Sequence, residues 1–152
     1  MKYWLMKSEP DVYGINDLKN AAGKTDTWDG VRNYQVRNMM RDNMKKGDLA
    51  FFYHSNCKNP GIAGIMKINR AGYPDYTAFD PKEKYFDSKS DPDNPRWYMV
   101  DVRFVRKLKR VITLTELKEQ PELADLPLVR RGNRLSVMPV SKQQWDYILS
   151  LE

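Results

Sequence analysis

The chain has 152 residues, enough to bury a core without staples, and its 41% hydrophobic and 30% charged residues fit a soluble globular protein. Its formal net charge of +6 permits contact with phosphate backbones without requiring it. One cysteine, Cys57, and one histidine, His54, exclude an internal disulfide and a usual structural zinc site, and they fit a reducing cytoplasmic or nuclear home.

Tyr3–Met6 reads as a short first strand, expected to be central because Tyr3 and Trp4 serve opposite faces. This apolar run of four residues is too short for the core of a secretory signal. No run approaches the about 18 apolar residues of a membrane span, so neither sorting nor membrane insertion is expected. Pro10 restricts Glu9 to an extended conformation and ends the strand. Ile15–Ala22 reads as a short helix with Gly23 just past its end.

Asn33 or a neighbour is placed to cap a helix from about Tyr34 to Met44. Val36, Met39, Met40 and Met44 fall on one face of it, while Arg37, Arg41, Lys45 and Lys46 occupy the rest and the last turn. Gly47-Asp48 makes a turn into a strongly apolar strand, Leu49–His54. Pro60-Gly61 turns into a further strand, Ile62–Ala71, and Tyr73–Phe79 is strand or extended loop. Asp80–Pro95 is polar, acidic and proline-rich and reads as a long surface loop.

Strand character resumes over Trp97–Leu108. Thr113–Glu116 matches a capping box, with Ile112 and Leu117 as its hydrophobic staple, and starts a short helix that ends near Pro121. Leu135–Met138 makes a last strand. Ser141–Gln144 is a second capping box, with Val140 and Trp145 as staple, and the helix it opens runs to about Leu149. Five or six strands alternate irregularly with helices and no βα unit repeats. That pattern argues for an α+β protein on a curled mixed sheet or small barrel. No linker divides the chain, so a single domain over 1–152 is expected.

Three clusters do not read as ordinary core. In Trp28-Asp29-Gly30-Val31-Arg32-Asn33-Tyr34, a Trp beside Gly in a loop can lay a flat ring against a planar ligand, or it can plug the core beneath the helix that follows. In Phe52–Cys57, polar groups sit at the end of an apolar strand. His54 there is either a hydrogen-bonded structural histidine or a site residue, and Cys57 is a small loop or buried residue. In Arg130-Arg131-Gly132-Asn133-Arg134-Leu135-Ser136, three arginines surround a Gly-Asn turn, suited to phosphates or base edges or simply solvated. A fourth basic run, Arg106–Arg110, follows a strand and reads equally as edge protection or backbone contact. No phosphate loop, dinucleotide fingerprint, nucleophile elbow or metalloprotease motif occurs, and the zinc-deaminase signature needs more cysteines than the chain has.

The chain resembles the EVE-domain family of the PUA-like group. The resemblance is carried by Tyr3–Pro10, Trp28–Gln35, Tyr53-His54-Ser55, and Arg131–Ser136 with Pro139-Val140. It implies a PUA-like curled mixed β-sheet or pseudo-barrel with peripheral helices. It also implies non-catalytic recognition of a modified base, such as a modified cytosine, in DNA or RNA, with no metal or cofactor. In that reading Trp28 and Tyr53 stack on a flipped base, and Ser8, Asn33, His54 and Ser55 hydrogen-bond its edge. Leu135 and Ser136 line the floor or rim, and Lys7, Arg32, Arg131 and Arg134 contact flanking phosphates. A monomer is the favoured state, cytoplasmic in a bacterium or nuclear in a eukaryote. Two alternatives stand beside it: a nucleoside- or nucleic-acid-processing enzyme using His54, and a protein-interaction module contacting partners through the Asp80–Pro95 loop.

Overall fold

The computed structural model describes residues 1–152. Strand β1 (Tyr3–Ser8) lies between β3 (Leu49–His54), to which it is parallel, and β6 (Val137–Val140), to which it is antiparallel. Strand β4 (Gly61–Pro74) pairs antiparallel with β3 and with β5 (Tyr98–Thr113), and β2 (Thr25–Trp28) pairs with β5. The strand order is β2-β5-β4-β3-β1-β6, a six-stranded mixed sheet in an α+β arrangement.

Each face of this sheet carries a core. Trp4, Met6, Ala50 and Phe52 pack into one, and Leu5, Phe51 and Tyr53 into the other. Because β1 and β3 are buried on both faces, they read as continuous apolar runs without alternation. On the first face, α2 (Ile15–Asn20) contributes Ile15 and Leu18, and α3 (Tyr34–Asn38) contributes Val36. The Val36 N–H donates to Asn33 Oδ1 at 3.0 Å, so Asn33 is the cap that starts α3. The helix then widens into a π-helical turn over Met39–Asn43, and Met40 and Met44 fill the same core with flexible thioethers.

On the second face, Trp145 of α5 (Lys142–Ser150) stacks on Phe51 with centroids 3.8 Å apart. Both halves of the expected Ser141–Gln144 capping box are present. At α4 (Leu114–Lys118) only half of the box forms. The Glu116 N–H donates to Thr113 Oγ1 at 3.2 Å, but the Glu116 carboxylate accepts from Arg110 instead of reaching back to the cap. No helix is long and apolar enough to cross a membrane.

The sheet curls. Tyr13, at the end of α1 (Pro10–Tyr13) just after β1, donates its hydroxyl to Asp26 of β2 at 2.6 Å. Trp28 of β2 meets Phe52 of β3 edge to face, centroids 5.4 Å apart. The far edge of the sheet is thus brought back over the middle strands, helped by repeated register shifts between β4 and β5. The ladder does not close, since β2 pairs only with β5 and β6 only with β1.

Several expectations are corrected. Trp28 ends a strand, β2, that the polar run Thr25-Asp26-Thr27 does not announce. Strand β5 runs through Arg106–Arg110, so that basic run lies inside a strand and not after one. Since β2 covers β5 only over Val100–Arg103, the basic half is an edge there, and Arg106 and Arg110 are held by Glu152 and Glu116. The last strand starts at Val137, leaving Leu135 and Ser136 in the segment before it.

Candidate nucleic-acid interface

Where the curl brings β2 against the end of β1, it leaves a cleft of about 500 Å³. Its walls come from segments distant in sequence: the end of β1 with Lys7, Ser8 and Glu9; β2 and the turn after it, from Asp26 to Arg32; Ser55, just past β3; and Arg134, Leu135 and Ser136, just before β6. Tyr85 of the long loop completes it. The Lys7 N–H donates to the Ser136 carbonyl at 2.8 Å and the Ser55 N–H to the Ser8 carbonyl at 3.0 Å, fixing three of these segments to one another.

Eight of the residues expected from the sequence line this cleft: Lys7, Ser8, Trp28, Arg32, Ser55, Arg134, Leu135 and Ser136. Trp28 plugs the core, as one reading expects, and also borders the cleft. It is only 8% exposed and packs on Phe52, yet its open part lines the cleft. The Ser8 hydroxyl donates to the Tyr13 carbonyl at 2.6 Å, leaving its oxygen as an acceptor. Lys7 is half-buried, and burial lowers its pKa below the usual lysine range, as for a cation short of solvation.

The other four lie outside the cleft. Asn33 is used by the α3 cap. Tyr53 points into the core of the opposite face, where burial raises its pKa to about 12, and Lys7 Nζ sits 5.9 Å from its ring centroid. At His54, Nε2 accepts the Ile15 N–H at 3.1 Å, which fixes the start of α2. Burial lowers the His54 pKa, with Lys107 adding to the effect, so the neutral ring that this bond requires is favoured. Arg131 is exposed on the Gly132 turn beside the cleft.

Arg32 lines the cleft but is not free. Its five N–H donors face acceptors in the protein: Asp75 at 3.0 Å, the Val31 carbonyl at 2.8 Å, the Tyr85 carbonyl from both Nε and an Nη, and Thr77 at 3.5 Å. Arg32, expected to contact a phosphate, here spends its donors within the protein and ties the long loop to the β2 turn.

Sequence reasoning missed Tyr85, Asp26, Asp29 and Asp75, the partner of Arg32. The signal for Tyr85 was present in Gly30. Gly30 has φ 76°, and a Cβ there would meet the Tyr85 ring at 2.4 Å, so the ring lies directly on the glycine backbone. Gly30→Ala is expected to cost about 1–2 kcal/mol for the left-handed backbone alone and to push Tyr85 off the cleft wall. A denaturation midpoint unchanged from the parent chain would contradict this.

An EVE-domain family model matches residues 2–151. The chain belongs to the EVE-domain family. It is 48% identical to human thymocyte nuclear protein 1, over 99% of this chain and 73% of that protein. It superposes on a crystal structure of a Pseudomonas syringae protein with a TM-score of 0.94 and 53% identity, covering 98% of each chain. It superposes on the human THYN1 protein, crystallised in complex with DNA containing 5-methylcytosine, with a TM-score of 0.91 and 47% identity, covering 99% of this EVE chain and 97% of that one.

Proposed function

We propose that this EVE protein recognises a modified cytosine, 5-methylcytosine foremost, in DNA, by taking the base out of the stack into the cleft without transforming it. The observation that carries the reading is the make-up of the cleft: an indole and a phenol beside serine hydroxyls, with Lys7 and Arg134 among the residues that line it. A base must leave the duplex before its edge and its 5-substituent can be read. Aromatic rings supply a face for any base, and cations outside the base pocket position the strand without specifying it. A relative 47% identical to this chain, the human THYN1 protein, has been crystallised with 5-methylcytosine DNA, which supports the same ligand here.

In this reading Trp28 and Tyr85 bound the base. Ser8, Ser55 and Ser136 offer hydroxyls to its edge, and Leu135 contacts the methyl group. Lys7, Arg134 and the neighbouring Arg131 meet phosphates, while Arg32 holds the wall. Neither alternative has comparable support. The Nε2 atom of His54 holds Ile15 N–H, and His54 is not a cleft residue. The Asp80–Pro95 loop is tied to the cleft by Arg32 and to Trp97 by Asp87, which makes it part of the cleft wall.

The test is binding of the purified protein to paired DNA and RNA oligonucleotides, plain and carrying 5-methylcytosine or other modified bases, at two salt concentrations. The expected result is a 5-methylcytosine DNA bound at least tenfold tighter than its plain counterpart, about 1.4 kcal/mol, with affinity falling steeply as salt rises. Equal affinity across the panel would sink the proposal.

A further inference from the structure

We propose that Asp29 is the group that makes the cleft select a cytosine-type base over a thymine-type base, by accepting a hydrogen bond from the exocyclic amino group. The inference rests on the reading that a flipped base enters this cleft.

Three carboxylates line the cleft, and two are already engaged. Asp26 accepts the Tyr13 hydroxyl on one oxygen at 2.6 Å and the Thr27 N–H on the other at 2.8 Å. Glu9 is exposed at the mouth and accepts from Asn56. Asp29 differs from both. It is half-buried, and one oxygen accepts a long bond from the Thr27 hydroxyl, 3.3 Å. Its other oxygen has no partner in the protein and is not fully buried, on a residue that lines the cleft.

Asp29 also lacks a counter-ion. It enters no ion pair, and the nearby guanidinium of Arg32 is held by Asp75. Its surroundings are acidic, with Asp75, Asp26 and Glu83 all adding repulsion. Burial first, and then Asp75, raise its pKa above the ordinary carboxylate range. A half-buried carboxylate beside other acids and without a cation is costly. A ligand that presents an N–H to the free oxygen relieves that cost.

Asp29 directly follows Trp28 and lines the same cleft, so in this proposal a base resting against the indole presents its edge to this side chain. Cytosine presents a 4-amino donor on that edge, whereas thymine presents a keto oxygen that the carboxylate repels. Thymine carries the same 5-methyl group. Contact with the methyl group therefore cannot separate the two bases, and a carboxylate can.

The experiment compares oligonucleotides that differ only at one position: 5-methylcytosine, thymine, or 5-methylpyrimidin-2-one, which keeps the methyl group and lacks the amino group. The parent chain is expected to bind the 5-methylcytosine strand at least tenfold tighter than either of the others. In Asp29→Asn the preference over thymine is expected to fall below about threefold, because an amide can turn either its oxygen or its nitrogen to the base. A folded Asp29→Asn protein with the preference intact overturns the inference. So does a parent chain that binds the pyrimidinone strand as well as the 5-methylcytosine strand, a comparison that stands even if the variant does not fold. If 5-methylcytosine binding proves insensitive to Trp28→Leu, the base does not enter the cleft, and this inference fails together with the proposed function. If Trp28 matters and Asp29 does not, only the inference fails.

Discussion

Trp28→Ala is expected to weaken binding of a 5-methylcytosine oligonucleotide about 5- to 150-fold, the 1–3 kcal/mol range produced by removing one stacking ring. The same substitution carries a second cost. Trp28 is 92% enclosed by the first core and packs edge-on to Phe52, so truncating it leaves a cavity worth about 3 kcal/mol of stability. The two effects separate with Trp28→Phe, which keeps a ring against Phe52 while presenting a smaller face to the cleft. Trp28→Phe is expected to recover most of the stability and part of the affinity. Anisotropy titration and urea denaturation of both variants provide the measurements. A folded Trp28→Ala protein that binds within twofold of the parent would remove Trp28 from the ligand site and leave it a core residue alone.

That double duty bears on what the sequence could reveal. Elements whose formation depends on local signals were legible: the apolar runs Tyr3–Met6 and Leu49–His54, the Asn33 cap, and the Ser141–Gln144 box with its Val140 and Trp145 staple. Strand β2 was not, because Thr25-Asp26-Thr27 is polar and is a strand only through pairing with β5. The half-formed box at α4 shows the same limit, since the fit of Glu116 to the cap pattern says nothing of Arg110, which claims its carboxylate. In the cleft, the matched motifs contribute most of the lining residues. Their orientation was hidden, because alternation along β3 sends Phe52 to the cleft side of the sheet and Tyr53 away from it. Tyr85 and Asp75 were missed for a related reason. Their partners, Gly30 and Arg32, lie more than 40 residues away in sequence, and only the curl of the sheet unites them.

Asp75→Ala is expected to be the most damaging polar substitution near the cleft. Asp75 is fully buried just beyond β4, and its carboxylate accepts the Gly30 N–H at 2.9 Å, an Arg32 Nη at 3.0 Å, the Thr77 N–H at 2.9 Å and the Thr77 hydroxyl. Removing it strands an arginine charge and several donors at once, and breaking a buried pair from one side costs about 3–5 kcal/mol. Because the Arg32 side chain keeps 22% exposure and can partly rehydrate, a loss of about 3 kcal/mol is expected, a large share of the total stability of a domain this size. Removing Arg32 as well should add less than its own separate cost, since the charge left unpaired by Asp75→Ala is gone. Ligand affinity should fall with stability, because the Gly30 turn and the Tyr85 carbonyl are both held through this pair. Equilibrium denaturation of the two single variants and the double variant measures the coupling. A loss below about 1 kcal/mol in Asp75→Ala, or strict additivity in the double variant, would mean that Arg32 is hydrated and mobile. It would then again be available to a phosphate.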